Sequence, residues 1–240
     1  KKKRSKQNTA ARTRINHPHH QQNPCILPLL SDRDRSTAMS SETKSCREVW
    51  EEMNNLLAKS KLIRNYSRSI DMSDYTVVTE LFPFEALMVY SAWNLEDSIN
   101  ENDRSKYFSA HRGGSQGDYR AGMRNKIANV VDCLLKFPKS KRAVITVPNN
   151  PNPAHSSDDD AKCMREIHFY LDEIGGETLL NATVWMRAQA AEIFPKNIHF
   201  VGSLMDRVAQ GLAVEDGACH GIKVGSLFYL ATTLISLRED

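Results

Sequence analysis

Long apolar runs are missing from this chain of 240 residues: none approaches the roughly 18 to 20 residues that cross a bilayer, and no signal-peptide core follows the basic start. A soluble, cytoplasmic protein is the expectation. Paired cysteines are missing as well. The five cysteines, at positions 25, 46, 133, 163 and 219, are odd in number, widely spaced and contain no Cys-x-x-Cys, which argues against both a disulfide framework and a zinc site. Nor is there a large excess of charge. With 32 basic and 29 acidic residues the formal balance is only +3, so the body of the protein is not a polyelectrolyte binder of nucleic acid. The imbalance sits at one end, where seven Lys or Arg and no acid occur in the first 14 residues. Lys1 to Lys6 read as a solvated tail.

What is present supports one sizeable core, since 40% of the residues are hydrophobic and 25% charged. Residues 1–44 form a basic and polar N-terminal segment, and residues 45–240 the domain proper. Within the former, His17, His19 and His20 lie in a Pro- and Gln-rich stretch with no carboxylate or cysteine close by, so a loop is expected there and not a metal site. From Cys46 to Ala58, Val49, Trp50, Met53, Leu56 and Leu57 recur at three- and four-residue intervals, the signature of an amphipathic helix. Residues 60–115 mix aromatics with polar residues and fit no single template. Ile127, Val130, Val131, Leu134 and Leu135 form a helical stripe that Pro138 stops. Ala143 to Val147 is β-branched and predicts a strand.

Residues 149–160 read as a loop in which Asp158, Asp159 and Asp160 are solvated. Two strand-like runs, 165–171 and 178–186, flank Gly175-Gly176, which suits a hairpin turn. Ile198, Val201, Leu204, Met205, Val208 and Leu212 fit a buried helix. Strands followed by a long apolar helix predict an α+β fold, a sheet backed by helices.

Among the chemistry-bearing residues, Cys163 stands out by its surroundings. A thiol becomes a nucleophile when nearby positive charge stabilises the thiolate, and Lys162 and Arg165 flank this one where it opens a strand. Lys141-Arg142 enters the preceding strand, and Arg187 leaves the following hairpin. Guanidinium groups at strand ends can hold a phosphate by charge-assisted bidentate hydrogen bonds, although spacing alone slightly favours ordinary surface basicity.

The ordered set Pro138-x-Ser140-Lys141-Arg142, Cys163, His168-Phe169-Tyr170, Arg187, Pro195-x-Asn197-Ile198 and Ala209-Gln210 resembles thymidylate synthase and its sister pyrimidine nucleotide hydroxymethylases. That resemblance implies a twisted mixed sheet backed by helices, one sheet face forming a homodimer interface. It implies Cys163 as the nucleophile that adds to C6 of a pyrimidine nucleoside monophosphate. C5 then attacks the one-carbon unit of 5,10-methylenetetrahydrofolate. Lys141, Arg142 and Arg187 resemble the phosphate clamp, the first two reaching across the dimer two-fold. Ala188 stands at a phosphate-contacting position, and Asn197 at the residue that reads the pyrimidine edge. Glu52 occupies the place of a helix glutamate that relays protons at the base, with Glu51 as the rival. Arg12, in Asn8-Thr9-Ala10-Ala11-Arg12-Thr13, resembles the arginine of a phosphate loop.

Departures from an ordinary thymidylate synthase bear on the reaction. Met164 replaces the His after the nucleophile, Pro148 a Trp and Ala188 a Ser, while Ala190 and Ala191 fill the region of a lost Asp. Val224-Gly225-Ser226-Leu227 resembles the hydroxymethylase form of a motif that reads Gly-Asp in thymidylate synthases. The sugar-contacting His and Tyr align with Phe228 and Leu230, or a shifted register uses Tyr229. The resemblance leads to the expectation that the tail that closes over folate in thymidylate synthases is absent after Asp240. These changes favour water over hydride at the trapped methylene, as in CMP 5-hydroxymethylases of nucleoside-antibiotic pathways. Three functions stand open: C5 hydroxymethylation of CMP or dCMP, a divergent thymidylate synthase acting on dUMP, and a non-catalytic nucleic-acid-binding paralogue.

Overall fold

Alternation, capping and glycine geometry account for most of the secondary structure in the computed structural model, which describes residues 42–107, 117–148, 162–215 and 221–237. All of these fall within one compact unit, Ser41–Asp240. Arg12, the histidine-rich stretch, Cys25, Cys219 and the loop aspartates lie outside the described residues.

The first strand, β1 (Lys44–Ser45), leads directly into α1 (Cys46–Leu57). Ser45 caps that helix in a reciprocal box: its hydroxyl accepts from the Glu48 backbone N–H, and its own backbone N–H donates to Glu48 Oε2 at 2.8 Å. Cys46, Val49, Met53 and Leu57 form the buried stripe. β2 (Leu62–Asp71) follows, and the segment that sequence left without a type resolves into β2, α2 (Phe84–Asn94) and α3 (Glu101–Tyr107). α4 (Met123–Lys136) begins at Gly122, whose φ of 69° suits glycine. Its first amides are satisfied from outside the helix. The Glu96 carboxylate accepts from Gly122 N–H at 3.1 Å and Arg124 N–H at 2.9 Å.

β3 (Val144–Thr146) and β4 (Met164–Ile174) come next, then β5 (Glu177–Ala190). Ile174 pairs with Glu177 across Gly175 and Gly176, whose φ values of 62° and 83° make the expected two-residue turn. β5 runs on past the predicted strand, so Arg187 sits inside it and does not leave it. A short 3₁₀ turn (Ala191–Ile193) feeds α5 (Phe194–Glu215), and β6 (Lys223–Ile235) closes the described chain.

The six strands form one mixed sheet in the order β1-β2-β6-β5-β4-β3. β5 and β6 are parallel neighbours, while β2–β6, β4–β5 and β3–β4 are antiparallel. One face is the core. Ile167, Phe169, Ala182, Val184, Leu227, Tyr229 and Ala231 are all completely buried there. α5 packs between this face and the helices α2 and α4, which explains why its Ile198, Val201, Leu204, Met205, Val208 and Leu212 are almost wholly buried.

Candidate active site

Burying a polar side chain is costly unless it is hydrogen-bonded, so the placement of buried polar groups is informative. Ser91, Asn94, Gln189, Lys196, Asn197 and His199 are all at most 4% exposed, and they gather around the first turns of α5. The sequence explains how. Ala190 ends β5, the 3₁₀ turn reverses the chain, and Pro195 starts the helix where a missing N–H costs nothing, so Lys196 and Asn197 fall in its first turn.

A cleft of about 150 Å³ opens at this point. Its lining includes Cys163 from the start of β4, Arg187, Ala188 and Gln189 from β5, Lys196 and Asn197 from α5, and Gly117 and Tyr119 from the segment before α4. Four residues singled out in the sequence, Cys163, Arg187, Ala188 and Asn197, therefore meet in one cavity. The backbone reinforces this, because the Arg187 amide donates to the Cys163 carbonyl at 2.7 Å.

Asn197 is held rigidly. Its Nδ2 donates to Gln189 Oε1 at 2.9 Å, and the same oxygen accepts from the Tyr229 hydroxyl at 2.6 Å. Gln189 Nε2 donates to the Ala190 carbonyl, which fixes the direction of the Gln189 amide and hence of Asn197. Asn197 Oδ1 receives only a long contact, 3.4 Å, from the Tyr90 hydroxyl, whose proton goes to the Gly117 carbonyl at 2.7 Å. One N–H and one acceptor of Asn197 thus remain for a ligand. Tyr119 lines the cavity, its hydroxyl accepting from the Met164 amide at 3.3 Å and its own amide donating to Asn94 Oδ1 at 2.6 Å.

The electrostatics follow from burial. Tyr90, Tyr119 and Tyr229 have pKa values raised first by desolvation, and the charge of Cys163 adds to the effect in each. Lys196 moves the other way: burial lowers it to about 8, opposed by the attraction of Cys163. Its ammonium lies 4.5 Å from the centre of the Tyr90 ring. A Cβ on Gly117 would stand 2.8 Å from Lys196 Nζ and 2.7 Å from the Tyr90 hydroxyl, so glycine is what admits both. Burial also takes His199 down to about 4, its Nδ1 2.7 Å from the Ser91 hydroxyl.

Other expected site residues lie elsewhere. Lys141 and Arg142 are exposed ahead of the edge strand β3 and do not line the cleft. Glu52 does not line it either. Its carboxylate pairs with Lys44 and, at 2.5 Å, with Arg68; burial opposes its ionisation, but these two cations hold its pKa below the ordinary value. Glu51, its rival, is exposed. Glu52 couples to Tyr66 instead: burial and the Glu52 charge raise the Tyr66 pKa, and Tyr66 in turn raises that of Tyr229.

Trp93 carries guanidinium groups over its ring, Arg120 at 4.2 Å and Arg104 at 4.7 Å. Tyr119, Gln189 and Lys196 were missed by sequence reasoning. For Lys196 a signal existed, a lysine embedded in the apolar run from Ile193 to Val201.

The register around Val224-Gly225-Ser226-Leu227 is set by a bulge. Leu180 pairs with Val224 but Ala182 with Leu227, so β6 spends one residue more than β5 at Gly225-Ser226. The extra residue sends Tyr229 to the core face and leaves Phe228 40% exposed on the other.

No protein-family model matches the chain, and no curated protein matches its sequence. Solved structures do match. The thymidylate synthase of phage T4 gives a TM-score of 0.58 at 16% identity, covering 80% of this chain and 77% of that one. Thermostable thymidylate synthase A of Bacillus subtilis gives 0.55 at 12% identity, covering 80% and 79%. The fold is therefore thymidylate synthase-like: α+β, a mixed six-stranded sheet backed by helices.

Proposed function

We propose that the chain is a one-carbon transferase that hydroxymethylates C5 of a pyrimidine nucleoside 5′-monophosphate, CMP or dCMP, as a homodimer. The observation that carries this reading is the meeting of Cys163, Arg187, Ala188 and Asn197 in one cleft of a thymidylate synthase-like fold. The Cys163 thiolate adds to C6, forming the S–C6 bond while the C5=C6 π pair moves to C5. Asn197 offers one donor and one acceptor to the base edge, and Arg187 takes part of the phosphate charge. The positive end of α5 favours the anions gathered there. Lys141 and Arg142 complete the phosphate clamp in the partner's site.

The one-carbon donor of this reading is 5,10-methylenetetrahydrofolate. The described residues do not define its site: the best aromatic candidate, Trp93, already carries two guanidinium groups. What this chain's own residues supply is activation of C5.

Hydroxymethylation is favoured over methylation by the departures at Met164, Pro148, Ala188 and Ser226. Asn197 supports the second reading, a thymidylate synthase acting on dUMP, because a free amide N–H and acceptor suit the uracil edge as well as the cytosine edge. The purified chain incubated with tetrahydrofolate, formaldehyde and each of CMP, dCMP, UMP and dUMP gives a 5-hydroxymethylated cytidylate by mass spectrometry, and Cys163→Ser lowers its rate by on the order of 1,000-fold. Dihydrofolate formation with dUMP alone selects the second reading. No product from any nucleotide, together with tight RNA or DNA binding, would leave the nucleic-acid-binding paralogue.

A further inference from the structure

Three features make Lys196 an unexpected residue at its position. It is 2% exposed, and burying an ammonium costs several kcal/mol unless an anion compensates. It stands in the first turn of α5, where the helix macrodipole disfavours a cation. It shares its cavity with the guanidinium of Arg187, and no Asp or Glu occurs among the described residues lining that cavity. Among the described residues of the lining, the group that can carry negative charge is the thiol of Cys163, and its charge acts on Lys196.

We propose that Lys196 is a positioning residue for Cys163: its ammonium, packed on the Tyr90 ring in the same cavity, holds the sulfur as a thiolate before substrate arrives. The proposal rests on reading Cys163 as the nucleophile. The charge of Cys163 favours the charged form of Lys196 against burial, and pairwise coupling is reciprocal, so the ammonium favours the thiolate to the same extent. Tyr90 of α2, Tyr119 before α4 and Tyr229 of β6 feel the charge of Cys163, while Asp118 acts on Tyr90 and Arg187 of β5 on Tyr119. Burial keeps the three tyrosines protonated, so Lys196 and Cys163 are the coupled pair of the described cavity lining whose charges bear on each other. With a nucleotide bound, the phosphate dianion adds the negative charge that balances Arg187.

The test is the pH profile of Cys163 alkylation by iodoacetamide, read peptide by peptide in the wild-type chain, Lys196→Met and Lys196→Gln. Sulfur displaces iodide only as the thiolate, so the profile reports its population. In both variants the midpoint rises by about one pH unit or more, and the rate near neutral pH falls about tenfold. Cys46, buried at the start of α1 with its pKa raised by desolvation to about 12, stays unreactive while the fold is intact. A Lys196→Met profile that superposes on the wild type with Cys46 still protected overturns the proposal. So does a wild-type profile in Lys196→Gln, which keeps polar donors without the charge. If Lys196→Met exposes Cys46, the Gln variant decides. Alkylation needs no nucleotide, so a shifted profile in a chain that makes no product refutes the reaction and leaves the pair standing, whereas product formation with unshifted variants does the reverse.

Discussion

His199 and Lys196 lie three residues apart in α5, and burial depresses both, with opposite consequences for stability near neutral pH. The folded His199 pKa is about 4 against an ordinary 6.5, so between those values the unfolded chain binds more protons than the folded one. The contribution is fully present above about pH 6.5 and is lost as the pH falls towards 4, a change on the order of 3 kcal/mol. Urea denaturation of the wild type near pH 7 and near pH 4.5, set beside His199→Gln, reads this directly. The variant is expected to be the less pH-sensitive of the two; parallel losses would assign the acid sensitivity to other groups. For Lys196 the folded value of about 8 also lies below the ordinary 10.5, so stability climbs as the pH rises between them and the charge is a burden at neutrality. Lys196→Met is therefore expected to stabilise the fold while it slows Cys163, and a lowered melting temperature in a folded variant would count against that reading.

At the level of elements, the bulge in β6 is the most exacting feature. A Cβ on Gly225 would stand 2.2 Å from Asn181 Oδ1, an oxygen that accepts from the Ser226 amide at 2.7 Å and whose side-chain amide donates to Asp172 at 2.8 Å. Asn181 cannot swing aside without losing those bonds. Gly225→Ala is expected to cost about 1 to 3 kcal/mol and to reduce turnover by loosening Tyr229 from Gln189, measurable as a drop of several degrees in melting temperature alongside the lost activity.

The same elements show why some of the fold was legible in the sequence and some was not. α1, α4 and α5 bury stripes of apolar residues at helical spacing, and Gly175-Gly176 announces its turn. α2 hides because its buried face includes Ser91 and Asn94 while Phe84 and Met88 face solvent, which erases the contrast that periodicity needs. β6 hides because Phe228 and Tyr229 are both aromatic on opposite faces. Of the candidate site, Cys163, Arg187 and Asn197 were legible as motif residues. The hydrogen bonds from Gln189 and Tyr229 that orient Asn197 were not, since they join residues distant in sequence and depend on where a one-residue bulge sends the strand.

Across the whole molecule, helices cover one face of the sheet and leave Trp185, Phe228 and their half-buried neighbours Tyr170 and Leu230 on the other, with Trp185 and Phe228 41% and 40% exposed. A twisted sheet face of this character suits a second copy of the chain. Such a pairing would also give a place to Lys141 and Arg142, two exposed cations ahead of the edge strand that do not line their own cleft and that the proposed function assigns to the partner's phosphate site. The arrangement predicts complementation. Arg142→Ala leaves both sites of a homodimer without the partner's guanidinium, and Cys163→Ser leaves both without a nucleophile. In a mixed dimer the Arg142→Ala chain brings its own intact Cys163 and receives Arg142 from the other chain, which rebuilds one complete site. Unfolding the two inactive variants together and refolding them should therefore restore activity, on the order of a quarter of the wild-type level if chains pair at random and Arg142 acts only in trans. A mixture no more active than its parents would place Arg142 in its own chain's site or remove it from catalysis.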